Sequence, residues 1–220
     1  MNAFFEYPAA AAFGRVVPKN KIYEHAGATK VLKDLYISQV DQITWSYKLA
    51  PETINLAAVK SVTEIQVFSI TLRTGKLDHE VLRAIDRAIP FPLIFEILWA
   101  GKRQVIAAFK RPSDADSSKW VVSDYFESEW AAEETPRQPF PVALHLGALY
   151  EQLLAALMSV GGAGTEALAA RVLRMEAISS KTREIDRIKR RLNSEKQFNK
   201  RVAINVELRA AEQQLKKLLS

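Results

Sequence analysis

A chain of 220 residues with 48% apolar and 25% charged side chains has the make-up of a folded protein with one sizeable core, or one core and an appendage, rather than of a disordered chain. It has no cysteine, which excludes disulfides, thiolate-bound zinc, iron–sulfur clusters and cysteine nucleophiles. The formal charge of +6 is uneven: residues 1–164 hold 17 Lys and Arg against 18 Asp and Glu, whereas residues 165–220 hold 14 against 7, so the positive balance sits in the tail and points to an acidic partner there.

The first 20 residues carry an alanine run and two prolines and read as a packed lead-in to the fold. They lack a basic stretch before the apolar residues, so no secretory leader is expected and the default compartment is the cytoplasm. Ala28 to Val40 has the spacing of a short helix. Ile43 to Leu49 alternates apolar and polar residues and reads as a strand, followed by a turn and extended stretch from Pro51 to Asn55. Val62 to Arg73 is the clearest strand. It carries Ile65 and Val67 on one face and Phe68, Ile70 and Leu72 on the other, the pattern of a central strand covered on both sides. Asp78 is placed to cap a helix ending near Ala88, with Val81, Leu82 and Ile85 on its apolar stripe. Three strand-like runs follow at Leu93–Trp99, Gln104–Phe109 and Trp120–Phe126, the first two joined by a tight hairpin at Ala100-Gly101-Lys102. Residues 133–141 read as an acidic, proline-rich linker, and Val142–Val160 as an apolar helix stopped by the glycines at 161–164.

These elements predict an α+β domain, a mixed or antiparallel sheet with packed helices over residues 1–160. A helical segment follows over residues 165–220. In that segment Leu168, Val172, Met175, Thr182, Ile185 and Leu192 fit one apolar seam, and Ile204, Leu208, Ala211, Leu215 and Leu218 fit another with strict 4-3-4-3 spacing. The two seams are out of register. Asn193 is placed to end one helix, and Ser194 with Gln197 to cap the next, so two antiparallel helices are preferred to one bent helix of about 80 Å. The second seam is the candidate surface for a partner helix. The basic run Lys181, Arg183, Arg187, Lys189, Arg190, Arg191, Lys196, Lys200 and Arg201 is the candidate nucleic-acid surface; its bland alternative is the solvated face of a coiled coil.

Catalytic signals are sparse. His25, His79 and His145 are scattered and read as loop, helix-start and helix-surface positions. No phosphate loop, dinucleotide fingerprint or serine-nucleophile motif occurs, and no cofactor is called for. Asp114, Asp116 and Asp124 lack the framework of a calcium loop. Glu64-Ile65-Gln66, with Asp41 upstream, has the outline of a nuclease metal site, but Gln66 stands where a lysine would handle the water. A divergent metal-dependent nuclease using Asp41 and Glu64 is the alternative to a non-catalytic role, and a homodimer held by the tail is a further one.

The stretch EKQFNKRVAINVELRAAEQQLKKL at Glu195–Leu218 resembles the C-terminal motif of an uncharacterised prokaryotic family, domain of unknown function 4391. WSYKLAPETINL at Trp45–Leu56, the EIQVFSITL strand and AIDRAIPFPLIFEI at Ala84–Ile97 are similar to its N-terminal half. The resemblance implies an accessory protein that accompanies helicases and DNA methyltransferases in bacterial DNA-processing or phage-defence systems. A protein partner of that kind, or self-association through the tail, is then expected, with DNA as a further partner and no membrane. It supplies no catalytic residues.

Overall fold

The structure is a computed structural model that describes residues 3–113, 116, 119–158 and 167–219. It contains two compact units, residues 1–159 and 160–220. The first is a seven-stranded mixed sheet with helices, and the second is built on two long helices.

The sheet strands are β1 (Ala12–Val16), β2 (Val40–Leu49), β3 (Ile65–Leu72), β4 (Leu93–Trp99), β5 (Lys102–Pro112), β6 (Trp120–Glu127) and β7 (Ala131–Ala132). They lie in the order β1-β2-β3-β4-β5-β6, with β7 also paired to β5. Every pairing is antiparallel except β3 with β4, which is parallel. A parallel neighbour cannot be reached by a tight turn. The chain crosses between them through α4 (His79–Ala88). The side chain of Asp78 caps α4 by accepting from the backbone N–H of Glu80. The β4–β5 turn is the expected hairpin: Ala100 and Gly101 both adopt positive φ, 48° and 71°, the geometry that matches strand twist.

One face of the sheet is covered by α1 (Lys19–Ala26), α2 (Lys30–Gln39) and α4. Ile22, Leu32, Tyr36, Leu82 and Ile85 from these helices bury Phe68, Ile70, Phe95 and Ile97 from the central strands. Each such apolar side chain contributes roughly 1.5–3 kcal/mol on burial. The other face carries Val67, Ser69, Ile94, Glu96 and Arg103. There the cover is α5 (Leu146–Ala155), whose Tyr150 stacks on Phe109 of β5, and extended chain, where Glu6 donates to the carbonyl of Gln138 and Gln138 to that of Phe4. Apolar residues on both faces of β3 are therefore buried, as its two-sided pattern predicts.

Several local expectations need correction. The lead-in contains β1 and the start of α1, and His25 lies within α1 rather than in a loop. Residues 51–54 form a single helical turn, α3 (Pro51–Ile54), not an extended stretch. The apolar helix expected from Val142 begins later, as α5 (Leu146–Ala155), because His145 is its N-cap and accepts from the N–H of Ala148. Val142 and Leu144 are left outside it and exposed. The glycines at 161–164 and Asp114 lie outside the described residues.

The crossover helix is fixed by a buried ion pair. Lys110 on β5 is 1% exposed and sends its ammonium to the carbonyls of Asp86 and Ile89 at 2.5 and 2.6 Å. The carboxylate of Asp86 lies 3.5 Å from the same nitrogen and accepts from the Tyr125 hydroxyl. Burial raises the Asp86 carboxyl and lowers the Lys110 ammonium, each opposed by the charge of the other. Removing one member strands the other charge. Asp86→Ala is therefore expected to cost about 3–5 kcal/mol in urea unfolding, and adding Lys110→Met to it should recover much of the loss.

A second, more exposed link joins α4 to β6: His79 Nε2 lies 2.8 Å from Glu127. Its hydrogen bond to Glu127 raises the imidazole, against an opposing effect of burial, and lowers the carboxylate. The raised histidine favours folding fully below about pH 6.5, its ordinary value. That contribution is lost as pH climbs through the raised folded-state value. The lowered Glu127 contribution is lost in the opposite direction, as pH falls through its own folded-state value. His79→Gln should therefore lose less stability than the parent chain between pH 6 and 8, a difference under about 1 kcal/mol readable from urea midpoints.

Candidate functional site

The helical unit is a hairpin of α6 (Leu168–Ser194) and α7 (Phe198–Leu219). Ile185 and Ile188 of α6 bury against Ile204 and Ala211 of α7, with Leu192, Leu208 and Leu215 packed at the margin. Ion pairs Arg191–Glu207 at 3.0 Å and Lys189–Glu212 at 3.5 Å run in opposite senses along the two helices, as an antiparallel pair requires. The turn differs in detail from the expected cap. Ser194 closes α6 by donating to the Arg191 carbonyl, and it is Glu195 that accepts from the N–H of Gln197. That hydrogen bond lowers the Glu195 carboxyl.

The seam proposed for a partner helix is thus occupied, and its partner is α6 of the same chain. Leu218 is half-buried in the last turn. The basic run separates by helical position. Lys181, Lys189 and Arg191 are engaged with Glu184, Glu212 and Glu207, and Arg201 donates to the Glu195 carbonyl. Arg183, Arg187 and Arg190 are exposed at i, i+4 and i+7, on the side of α6 away from Ile185, Ile188 and Leu192. Lys196 and Lys200 are exposed at the turn. Arg187 and Lys196 make no ion pair among the described residues.

The two carboxylates of the nuclease alternative are not brought together. Asp41 lies where β2 begins, opposite the end of β3, and pairs with Arg73 at 2.9 Å. Glu64 lies at the other end of the same strand pair, roughly 25 Å away at strand rise. There it accepts from Gln66 at 2.5 Å and lies 3.4 Å from Lys48. Asp116 and Asp124 are likewise engaged, with Lys119 and Arg83. No group of three or more metal-ligating side chains occurs among the described residues.

A different site, missed in the sequence, lies on the sheet face opposite α1, α2 and α4. A cavity of about 490 Å³ opens over β1–β5 and is lined by Ser46, Tyr47, Ser69, Glu96, Arg103 and Arg137 among others. Ser46 and Ser69 share a hydrogen bond at 2.7 Å across β2 and β3, and Glu96 stands in register beside Ser69 on β4. Arg137 grips both oxygens of Glu96, at 2.6 and 2.8 Å, and also donates to the Phe5 carbonyl. Glu96 is 3% exposed. Burial and this carboxylate together push the Tyr7 phenol up. The visible signals were a single glutamate inside the apolar run LIFEILW and an arginine opening β5. Neither pairing was legible, because Arg137 is supplied from 41 residues away.

The chain thus combines a mixed-sheet α+β unit with a basic helical hairpin. The chain belongs to the family described as Domain of unknown function (DUF4391), whose model matches residues 5–215. No curated protein and no solved structure matches it. No helix among the described residues is long and apolar enough to cross a membrane.

Because the α7 seam is used within the hairpin, a charge placed there should open it. Leu208→Asp is expected to lower the helical circular-dichroism signal and remove up to roughly 1.5–3 kcal/mol of apolar stabilisation without changing any outward arginine.

Proposed function

We propose that this chain is a non-catalytic accessory or docking protein of a bacterial DNA-processing or phage-defence system, and that its hairpin meets the phosphate backbone of DNA. The observation that carries this reading is the division of the hairpin into an apolar interior and a cationic exterior. With the seam satisfied by α6–α7 packing, the exposed face of α6 presents Arg183, Arg187 and Arg190 within about 11 Å along the helix axis. Phosphates on one strand recur about every 3.4 Å of duplex axis, so roughly three fall within such a span, and neutralising them releases counterions. The three arginines present no base-reading geometry of their own, so the contact would be sequence-independent and would position the chain rather than select a site. The family resemblance supports the setting, with a helicase or methyltransferase subunit as the protein partner. The separation of Asp41 from Glu64 favours this reading over the nuclease.

Titration of a labelled DNA duplex with the intact chain at several salt concentrations tests it. Binding should be present at low salt and fall steeply as salt rises. Replacing Arg183, Arg187 and Arg190 with glutamine should weaken binding and flatten the log–log salt slope by about 0.9 for each phosphate no longer neutralised. The hairpin fold itself should be unaffected. No binding by the intact chain at low salt would overturn the DNA role.

A further inference from the structure

The two guanidiniums in the wall of the sheet cavity are not equally compensated. Arg137 has Glu96 as a bidentate partner. Arg103 is 4% exposed, yet it makes no ion pair among the described residues. Its guanidinium donates to the Thr135 carbonyl and lies over the Phe4 ring, 4.5 Å from the centroid. Its Nε is buried without a hydrogen-bond partner. Burial and the neighbouring charge of Arg137 depress its basicity, against the pull of Glu96 and of the exposed Glu133 and Glu134. An uncompensated buried charge is costly unless a counter-charge arrives. Glu96 is committed to Arg137, and Glu133 stands exposed at the rim. Inside the wall, Arg103 and Arg137 therefore face one buried carboxylate.

The rest of the cavity has the form of a ligand site. Its volume of about 490 Å³ lies within the range of small-molecule pockets, roughly 300–1,000 Å³. Its floor offers the hydroxyls of Ser46 and Ser69, which share a hydrogen bond; Ser46 also reaches the Thr44 carbonyl at 3.5 Å, and when Ser46 donates to Ser69 the Ser69 hydroxyl is the donor left for a ligand. We infer that this cavity binds a small anionic molecule, its carboxylate or phosphate group compensating Arg103 and its remaining polar atoms meeting the serine hydroxyls. This site is independent of the hairpin and of the proposed DNA contact.

The hairpin arginines would also attract anions, so the test uses the full chain carrying Arg183, Arg187 and Arg190→Gln as background. Inorganic phosphate and malonate are titrated separately at constant ionic strength, with sodium chloride as the control, and thermal unfolding is followed. The expected result is a saturable rise in Tm with at least one of the two anions, absent with chloride. Which anion acts identifies the ligand's charged group. Glu133→Gln, an exposed change at the rim, should tighten binding several-fold by removing a repulsive carboxylate. Arg103→Met should weaken binding at least tenfold. Ser69→Ala should weaken it less, and serves the same purpose should Arg103→Met fail to fold. A Tm that neither anion raises beyond the chloride control would overturn the inference. So would saturable binding that is unchanged by Glu133→Gln and by Arg103→Met or Ser69→Ala.

Discussion

The parallel pairing of β3 with β4 is the constraint on which the sheet unit is organised. It obliges the chain to leave the sheet between two adjacent central strands and return, and α4 is that excursion. Once α4 lies on one face, α1 and α2 complete that face around it, and Tyr36 of α2 donates its hydroxyl to the Val81 carbonyl of α4. The meeting of Asp86 with Lys110 ties the crossover to β5. On the opposite face α5 packs against β5, with Tyr150 stacked on Phe109, and extended chain from residues 4–6 and 138 runs beside the stretch over Glu96. Extended segments fill a sheet surface less completely than a helix does, and a polar cavity over Ser46, Ser69 and Glu96 is the consequence.

The buried charges divide along the same line. On the helical face the cation and the anion are both present, and every polar atom of Lys110 and Asp86 named above has a partner. That arrangement fixes geometry and leaves nothing for a ligand. On the other face one guanidinium is matched and one is not. Proteins rarely retain an unmatched buried charge without a use for it. This difference in compensation separates a structural ion pair from a binding site, although the residue types are alike.

What could be read from the sequence follows the length scale of the signal. β3, β4, β5 and α4 were legible because their apolar periodicity extends over seven to eleven residues and their boundaries carry Asp78, Gly101 and the prolines at 90 and 92. β1 was not, because an edge strand of five mostly exposed residues, with Gly14 at a φ of 66°, has no alternation to detect. α1 buries only Ile22 and so has almost no apolar stripe. The start of α5 was misplaced because Val142 and Leu144 are apolar yet exposed, and hydropathy alone cannot exclude them from a helix. The cavity was invisible for a different reason: Glu96, Arg103 and Arg137 meet only through strand order and a long return of the chain. The α7 seam and the break near residue 194 were local and therefore visible, whereas the α6 seam read from spacing runs through Thr182, which is exposed, and passes over Ile188, which is buried in the hairpin core.

The hairpin also shows why the meaning of its basic run depends on the fold. In a single extended helix both seams would face solvent, and the cations would be needed to keep two apolar stripes soluble. Pairing α6 with α7 removes the seams from water and draws Glu207 and Glu212 onto Arg191 and Lys189. The acidic residues of α7 are thus engaged in the groove between the helices, while Arg183, Arg187 and Arg190 project from the other side of α6. Folding therefore concentrates cationic side chains on one outer face. Asp186, also exposed, stands among them at i+3 from Arg183 and four residues before Arg190, so the face is predominantly rather than purely cationic. An excess of one sign on an outer face, with a few opposite charges among it, creates a field that attracts ions of the other sign.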